Sequence, residues 1–476
     1  MTSHVLSSIQ TLAKNQPQTT ALTDGRTSLT YRDLADCLST FAVKLKAYKG
    51  TCVSLEMENS IDWVIADLAC IAAQVVTVPL PPFFTASQRE NALCDAGAQA
   101  CISECLKITP LAYKAVPLPE GTAKITYTSG TTGSPKGVCL SQAGMEQVAA
   151  SLLSVIGAAP AEHTAALLPL AVLLENVAGC YATILAGGCY DIRSQAEIGL
   201  GSATTPDCVA LVRYLATSHA TSCIMVPELL GGMLHVLTQT DMSLPDMQFI
   251  AIGGSKVSPK LLDESRRLAL PVYQGYGLSE CASVVAVNTP NGILVESVGQ
   301  LLPHIDAHVA DDGEVCINHP ALLGYVGDQQ GPNSYATGDL GFMDDKGFLH
   351  ITGRKKNVLI TAFGRNVSPE WPESELLAQA EIAQCLVVGD GASFLAALLV
   401  PATEQVNDVM LQKAVDQANA LLPDYAQIQK WAKVRPFTLQ EGLLTGTGRP
   451  KRETIMQSYH PLIESLFKEE SYANIF

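Results

Sequence analysis

Strand-length apolar runs alternate with amphipathic helical segments through the first part of the chain, and this alternation constrains the fold more than any other feature. The segment SLTYRDLADCLSTFAVKLKAY predicts a short strand, a turn and a helix, and GTCVSLEM predicts a buried strand. ENSIDWVIADLACIAAQ has a helical pattern, and VVTVPL follows it as a strand. Further predicted strands are AQACIS, AKITYTS, HTAALLPL, CYDI, TSCIMVP and MQFIAIGG. The pattern predicts an α/β fold with parallel sheets covered by helices on both faces.

The pattern changes after about residue 290, where hairpins replace the alternation. HIDAHVA-DDGEVCI predicts one hairpin around Asp311–Gly313, and DLGFMDDKGFLHITGR predicts another that turns at Asp345–Gly347. Beyond Lys356 the sequence predicts a small α+β unit, with strand NVLIT, helix PEWPESELLAQA, strands CLVVGD and FLAALLVP, and two more helices. We therefore expect two domains, residues 1–355 and 356–476, with the boundary in GRKKN.

Length and composition exclude several classes of protein. The chain has 476 residues, too many for one hydrophobic core. Its 30 basic and 46 acidic residues give a net charge of −16, which argues against a nucleic-acid partner. The 14 cysteines include no CxxC pair, and the N-terminus lacks a signal-peptide pattern, so we expect free thiols in the cytoplasm. Apolar stretches are too interrupted for a transmembrane segment, although the positive mean hydropathy leaves room for a peripheral membrane contact.

The stretch YTSGTTGSPKGV, Tyr127–Val138, has the composition of an anion-binding loop. Its glycines and proline exclude a regular helix or a central strand. Small residues let backbone N–H groups approach an anion, the hydroxyl residues add donors, and Lys136 adds a positive charge. The spacing differs from that of the common P-loop. Because strand AKITY leads into it, we predict a phosphate-binding loop at the C-terminal end of a strand.

YTSGTTGSPKGV resembles the phosphate loop of the adenylate-forming superfamily, which includes acyl-CoA synthetases, firefly luciferase and peptide-synthetase adenylation domains. Seven further motifs follow in the order expected of that family: LPLAVLLEN, GGS, YGLSE, YATGDLG, GRKKN, GRNVSPEWPE and GTGRPKR. The resemblance covers nearly the whole chain and is greatest to fatty acyl-CoA ligases. It implies a large N-terminal domain of parallel sheets with a distorted β-barrel subdomain, followed by a small mobile α+β domain.

The resemblance also implies an activity and its cofactors. Enzymes of this superfamily join a carboxylate to ATP, release pyrophosphate and pass the acyl group to a thiol. The expected protein is thus an acid–thiol ligase that uses ATP, Mg²⁺ and either CoA or the phosphopantetheine of a carrier protein. Mg²⁺ and hydrogen-bond donors would neutralise the charge that builds up when a carboxylate attacks a polyanion.

The phosphate and metal contacts are carried over motif by motif. Glu280 would face the metal, together with Thr128, because Mg²⁺ prefers hard oxygen ligands. Ser279 would face the α-phosphate, and Lys136 the departing pyrophosphate. The loop residues implied in phosphate binding are Thr128, Ser129, Gly130, Thr131 and Thr132.

The nucleoside contacts come from later motifs. Tyr276, before Gly277, would stack on adenine, and Asp339 would accept both ribose hydroxyls. Arg354 would reach the ribose or the phosphates. The adenine edge would be lined by Gly253, Gly254 and Ser255.

Two positions belong to the proposed domain movement. Lys356 matches the hinge about which the small domain swings between adenylation and thiolation. Gly364 would let pantetheine pass in the second orientation.

The chain departs from the family pattern at two motifs. Val172 stands in LPLAVLLEN where His or an aromatic residue is common, and the nearest histidine, His163, is expected to be structural. In GTGRPKR, Arg449 occupies the position of the usual catalytic lysine, and Lys451 follows two residues later. Arginine could clamp the substrate carboxylate, or Lys451 could act if the loop is shifted. Both remain candidates.

The acyl substrate is the least constrained part of the prediction. The segment SCIMVPELLGGMLHVL is apolar and offers no obvious partner for a substrate amine, which favours a medium- or long-chain fatty acid. The first hypothesis is a fatty acyl-CoA ligase. The second is a fatty acyl-AMP ligase that loads an acyl carrier protein, and the third is a nucleotide-binding protein that has lost adenylation. The sequence leaves open whether the chain is a monomer or a homodimer.

Overall fold

The structure is a computed structural model, and it describes residues 3–128, 136–201, 206–445 and 449–468. A π-helical stretch, Glu175–Tyr181, precedes the sixth α-helix. The helices are α1 His4–Asn15, α2 Tyr31–Leu45, α3 Ile61–Ala73, α4 Ala86–Ala96, α5 Gln142–Ile156, α6 Ala182–Ala186, α7 Cys208–Ser218, α8 Pro227–Gln239, α9 Pro259–Arg267, α10 Glu370–Leu377, α11 Asp408–Asn419, α12 Arg452–Ser458 and α13 His460–Phe467.

In the part of the chain that the structure describes, the strands fall into two large sheets and three small ones. They are β1 Thr20–Thr23, β2 Ser28–Thr30, β3 Cys52–Leu55, β4 Val76–Pro79, β5 Ala100–Ser103, β6 Lys107–Pro110, β7 Thr122–Thr128, β8 Lys136–Ser141, β9 His163–Ala165, β10 Cys189–Asp191, β11 Ser222–Met225, β12 Phe249–Ile252, β13 Val272–Leu278, β14 Ser283–Val287, β15 Gln300–Leu301, β16 Asp306–Val309, β17 Glu314–Asn318, β18 Leu322–Tyr325, β19 Ser334–Met343, β20 Leu349–Arg354, β21 Leu359–Ile360, β22 Asn366–Val367, β23 Ile382–Val388, β24 Leu395–Pro401 and β25 Ile428–Lys433.

Side-chain caps explain where several helices begin. Thr30 and Asp33 form a reciprocal capping box at α2, and Thr85 and Gln88 form another at α4. Ser141 accepts a hydrogen bond from the Gly144 amide at the start of α5. These caps satisfy amides that the first helical turn leaves without a partner.

The two large sheets are parallel at their centres and antiparallel at several edges. Within the described residues, one has seven strands in the order β18-β8-β7-β4-β3-β5-β6, and the other has nine in the order β15-β14-β13-β12-β11-β9-β10-β1-β2. Parallel pairs include β3 with β4 and β11 with β12. The pairs β1–β2, β5–β6 and β7–β8 are antiparallel because their short connections cannot cross over the sheet. The α/β prediction is confirmed, but the sheets are mixed rather than wholly parallel.

The largest hydrophobic core lies in the N-terminal part of the chain, with members from both large sheets. Among its members are residues of α2, α3, α5 and the π-helical stretch. Trp63 and the tyrosines Tyr31, Tyr181 and Tyr190 are the bulkiest side chains that it buries completely. A second core packs α7, α8 and α9 on the nine-stranded sheet. These cores hold the strand ends that carry the predicted nucleotide contacts.

Both hairpins predicted after residue 290 are present. β16 pairs with β17 and β19 with β20, and together they form an antiparallel sheet in the order β16-β17-β19-β20. This sheet stands where the barrel-like subdomain was expected.

The C-terminal unit is built on the sheet β23-β24-β25, with hydrophobic clusters that include residues from α11 on one side and α12 on the other. The sequence pattern missed β25, because its polar residues obscure the strand period. It also predicted two helices after FLAALLVP, whereas the described residues form three, α11, α12 and α13. Tyr459 separates the last two of these helices, and Pro461 lies in the first turn of α13. In the described part of the chain, no helix has the length and apolar character needed to cross a bilayer.

Candidate active site

The predicted nucleoside contacts Tyr276, Asp339 and Arg354 lie together. The Tyr276 hydroxyl donates to Oδ2 of Asp339 at 2.6 Å, and Nε of Arg354 lies 2.7 Å from Oδ1. Asp339 and Arg354 are paired across the β19–β20 ladder, so the sheet register fixes their approach. Asp339 is buried, and burial raises the pKa of its carboxyl, while Arg354 and Tyr276 oppose that rise. The arrangement provides a carboxylate held in place from both sides.

The glycines beside this cluster have separate reasons to be glycine. Gly254 has a φ of +96°, which favours a residue without a side chain. A Cβ at Gly277 would lie 1.7 Å from the Ser283 carbonyl oxygen, at an irregularity in the β13–β14 ladder. Gly277 is therefore required by strand packing. Gly253 and Ser255 share the loop after β12, and the Gly253 amide donates to the Met225 carbonyl at 3.3 Å.

The predicted phosphate loop joins the two strands of a hairpin. Thr128, the last residue of β7, is the Cα partner of Lys136, the first residue of β8. The predicted contacts Ser129, Gly130, Thr131 and Thr132 lie outside the described residues. The structure thus fixes the two ends of the loop next to each other.

Glu280 belongs to a cluster near this hairpin. The Tyr325 hydroxyl donates to Oε1 of Glu280 at 3.1 Å and lies 3.3 Å from the Tyr335 hydroxyl. The Lys136 ammonium sits 5.4 Å from the centroid of the Tyr325 ring. Ser279 begins the same short 3-10 turn, Ser279–Cys281. A carboxylate and a lysine that belong to different motifs are connected through one tyrosine.

Arg449 reaches the nucleotide cluster from the small domain, and Lys451 begins a helix instead. The Arg449 guanidinium donates to the carbonyl oxygen of Gly254. Burial and the nearby charge of Arg354 lower the pKa of this guanidinium, while Glu228 and Asp339 oppose the fall, so it lies within electrostatic reach of the Tyr276–Asp339–Arg354 group. Lys451 precedes α12, and its amide donates to the Leu443 carbonyl at 2.8 Å. Of the two candidates left open by the sequence, Arg449 is the one with a described contact in the cleft.

The sequence reasoning missed Glu228, which the structure adds to the cleft. It lies in the first turn of α8, two residues after Val226, whose Cγ1 is near the Gly254 backbone. The Glu228 side chain keeps an exposed edge, but the protein atoms around its carboxyl displace water and raise its pKa, while Arg449 opposes the rise. A lone carboxylate in the otherwise apolar segment SCIMVPELLGGMLHVL was the available signal.

A second missed feature is a buried polar network beneath the motif LPLAVLLEN. Glu175 accepts hydrogen bonds from the Tyr190 hydroxyl at 2.6 Å and from the Leu168 amide at 2.9 Å. Burial raises the pKa of Glu175 to about 7. The next residue, Asn176, contacts Asp67 and the Lys124 ammonium.

This network continues to the strand that carries the phosphate loop. Lys124 lies in β7, and its ammonium is 2.8 Å from Asp67, with both side chains almost completely buried. The Tyr181 hydroxyl donates to Asp67 at 2.7 Å. The network thus joins the π-helical stretch to the strand before the loop. Glu175 and Asn176 belong to the motif LPLAVLLEN, but the sequence pattern did not predict that both would be buried.

The remaining predicted positions lie away from this cluster. Gly364 lies between β21 and β22 with a φ of +70°, and its amide donates to the Thr361 carbonyl at 2.8 Å. His163 starts β9, at the end of the parallel strands opposite the cleft, with Nε2 3.9 Å from Asp191. Val172 is partly exposed and brings no polar group.

Sequence comparison finds relatives along most of the chain. The chain is 27% identical to the long-chain-fatty-acid–CoA ligase FadD15 of Mycobacterium bovis, with 90% of each protein covered. It is 24% identical to the 2-succinylbenzoate–CoA ligase of Bacillus velezensis, with 79% of this chain and 83% of that protein covered.

Solved structures share the fold at low identity. The anthranilate CoA ligase AuaEII in complex with anthranoyl-AMP gives a TM-score of 0.82 at 18% identity, covering 97% of this chain and 98% of that chain. The o-succinylbenzoate coenzyme A synthetase (MenE) from Bacillus subtilis, in complex with ATP and magnesium ion, gives 0.76 at 22% identity, covering 94% and 98%.

Family models account for both parts of the molecule. The AMP-binding enzyme model matches residues 9–116 and 109–325, and the AMP-binding enzyme C-terminal domain model matches residues 356–471. The motif order, the fold and these matches agree, and the chain belongs to the AMP-binding enzyme family.

Proposed function

We propose that this protein activates a medium- or long-chain fatty acid with ATP and transfers the acyl group to the thiol of CoA. The observation that carries the proposal is the cleft itself, where Arg449 of the small domain lies against Gly254, within electrostatic reach of Asp339 and Arg354 of the large domain. A guanidinium at that position can bind a carboxylate and an adjoining phosphate oxygen through its several N–H groups.

In the first half-reaction, this chain's own residues orient the nucleotide and stabilise charge. Asp339 accepts the ribose hydroxyls while Arg354 and Tyr276 hold its carboxyl in place. The fatty-acid carboxylate attacks the α-phosphorus, the bond to the bridging oxygen breaks, and pyrophosphate leaves. Arg449 stabilises the charge on the pentavalent phosphorus, and Lys136 stabilises the leaving pyrophosphate.

The chemistry of Glu280 fits a magnesium ion held jointly with substrate phosphates. Among the described residues, no group of three or more His, Cys, Asp or Glu side chains is arranged to hold a metal. Mg²⁺ commonly uses one or two protein carboxylates and completes its shell with phosphate oxygens and water. Glu280 and the Thr128 hydroxyl would supply the protein ligands, and the ion would neutralise phosphate charge.

The apolar groups beside Gly253 and Gly254, together with the relatives, support a fatty-acid substrate, although Glu228 and Arg449 make another part of the cleft charged. A Leu174 methyl group lies 4.0 Å from where a Cβ of Gly253 would stand, and Val226 approaches Gly254. α8 begins directly after Val226 and carries further apolar side chains. The FadD15 ligases of two mycobacteria, named for long-chain fatty acids, are 27% and 28% identical to this chain.

Pyrophosphate release tests the acid preference. Purified protein with ATP and Mg²⁺ would be assayed with the even-numbered acids from octanoic to octadecanoic acid, and with benzoic and 2-succinylbenzoic acids as matched aromatic controls. We expect release with at least one of the saturated acids and none above background with the aromatic pair. Release with the aromatic acids alone would replace the fatty-acid proposal, and no release with any acid would support a nucleotide-binding protein without adenylation.

A second candidate function differs only in the acceptor. The chain is 24% identical to part of a hybrid PKS-NRPS synthetase, TAS1 of Pyricularia oryzae, with 92% of this chain and 28% of that protein covered. This similarity favours testing an acyl carrier protein beside CoA. We expect CoA to consume the acyl-AMP, while an acyl-AMP that persists with CoA and disappears with a phosphopantetheinylated carrier protein would establish the alternative.

A further inference from the structure

A buried polar contact ties the small domain to the segment that follows the predicted adenine loop. The Ser258 hydroxyl donates to Oε2 of Glu375 at 3.0 Å. Ser258 is 1% exposed and Glu375 is 3% exposed, so both groups have lost nearly all contact with water. Ser258 also caps α9, which fixes the direction of its side chain. A carboxyl from α10 therefore depends on a hydroxyl from another domain.

Neighbouring residues extend the contact on both sides. The Lys260 ammonium donates to Oε1 of Gln379 at 2.9 Å and to the Ala378 carbonyl at 3.2 Å. Gln379 in turn donates to the Glu375 carbonyl at 3.0 Å, and Ala378 packs against the large-domain core of α7, α8 and α9. The end of α10 is thus seated on α9 by hydrogen bonds and apolar packing together.

The energetics suit a contact that forms and breaks. Burial raises the pKa of the Glu375 carboxyl, while the Ser258 bond and the charges of Lys256 and Lys260 oppose the rise. Loss of hydration offsets much of what such buried polar contacts gain, so the net stabilisation is small. The geometry of the Ser258–Glu375 contact is nevertheless well defined, because a buried carboxyl without a hydrogen-bond partner would destabilise this arrangement.

The position of the contact connects it to the active site. Residues 253–255 of the predicted adenine loop run directly into Lys256 and Ser258, without an intervening element. On the other side, the domain that contains Glu375 also carries Arg449, which lies against Gly254. The same large-domain segment therefore meets the small domain at two places.

We propose that Glu375 is a positioning residue, which seats α10 on α9 through Ser258 and thereby places Arg449 against Gly254 for the adenylation step. The proposal rests on the proposed function for its catalytic consequence. The contact opens when the small domain turns for thiolation, so the second half-reaction does not depend on it.

Trp371 provides a direct readout of whether α10 is seated. Its ring centroid is 5.7 Å from the Lys256 ammonium, across the same interface. The full-length variants would be E375A, E375Q and S258A, with E404A as the control, because Glu404 is an exposed carboxylate of the small domain. Each protein is also made with the additional substitution W371F, and subtracting the emission of that W371F form from the emission of its parent gives the contribution of Trp371.

The half-reactions are measured separately on the same proteins. Adenylation is followed by pyrophosphate exchange with dodecanoic acid, and thiolation by the consumption of supplied dodecanoyl-AMP with CoA. We expect E375A and S258A to shift Trp371 emission to longer wavelength and to slow adenylation by about tenfold, while thiolation stays within about twofold. E375Q keeps an acceptor for Ser258, so its Trp371 emission and adenylation rate should stay close to those of the wild type. E404A should match the wild type in both.

The proposal would be overturned by unchanged Trp371 emission in both E375A and S258A, or by an equal loss in both half-reactions. If the wild-type protein activates no acid, the proposed function fails, but the Trp371 emission of the same variants still decides whether Glu375 seats α10. An emission shift without a change in adenylation would also reject the positioning role.

Discussion

Asp339 is the residue whose predicted role has the clearest structural support, because Tyr276 and Arg354 hold it from two sides. We expect D339N to raise the KM for ATP by about tenfold to a hundredfold, since hydrogen bonds to a charged group contribute about 1.5–3 kcal/mol. Steady-state kinetics with ATP as the varied substrate would measure this. D345N, in the exposed turn of the same hairpin, is the matched control. An unchanged KM in D339N would contradict the ribose assignment.

Arg449 and Lys451 make different predictions because only Arg449 has a described contact in the cleft. We expect R449A to slow adenylation by about a hundredfold, the usual effect of removing one donor to a developing negative charge. R449K should recover part of the rate, and K451A should stay within about threefold of wild type. Single-turnover formation of acyl-AMP is the measurement. A loss in K451A as large as in R449A would reassign the catalytic cation.

At the residue scale, motif positions could be read from the sequence, but their partners could not. Tyr276, Asp339 and Arg354 were each predicted to face the nucleotide, and the structure brings all three together. Glu228 was missed because its importance comes from Arg449, which lies more than two hundred positions later in the chain. A long-range pairing of this kind has no local pattern that spacing could reveal.

The π-helical stretch Glu175–Tyr181 carries three buried ionisable groups, Glu175, Cys180 and Tyr181. Burial raises the pKa of Glu175 from 4.5 to about 7. Between these values the folded protein holds a proton that the unfolded chain has lost, so the stability decreases as pH rises through this window. The contribution is at most about 3 kcal/mol.

E175Q tests this element directly. Glutamine can still accept from the Leu168 amide and pair with the Tyr190 hydroxyl, but it does not ionise. We expect the drop in melting temperature between pH 5 and pH 8 to be several degrees smaller in E175Q than in the wild type. Differential scanning calorimetry at several pH values would measure it, with E404Q as the exposed control. Parallel pH profiles for E175Q and wild type would mean that Glu175 does not titrate in this window.

Elements with a strong hydrophobic period were predictable, and those defined by their neighbours were not. β3, β4 and β12 are short apolar strands, found where the sequence predicted them. β25 was missed because half of its residues are polar and its place beside β24 is set by tertiary contact. The π-helical stretch cannot be distinguished from an α-helix by its apolar residues, since the extra residue per turn changes the period only locally.

At the scale of the whole molecule, the residues on either side of Lys356 make side-chain contacts with different domains. The Lys355 ammonium lies 2.6 Å from Asp312 and 2.8 Å from Glu314, next to and within β17 of the large domain. The Asn357 side-chain amide donates at 2.5 Å to Glu370, which lies at the start of α10 in the small domain. The chain is thus fixed to one domain just before Lys356 and to the other just after it. The boundary between residues 355 and 356 stays a prediction.

A proline at position 356 should therefore separate the two half-reactions. Proline fixes φ near −65°, a value that the 3-10 turn Lys355–Asn357 accommodates, so the orientation described here stays accessible while rotation about the N–Cα bond of this residue is lost. We expect K356P to form acyl-AMP within about threefold of the wild-type rate but to transfer the acyl group at least about a hundredfold more slowly. K356A removes the same side chain without restricting φ and should perform both steps normally. Equal rates of acyl transfer in K356P and K356A would show that the small domain does not turn about Lys356.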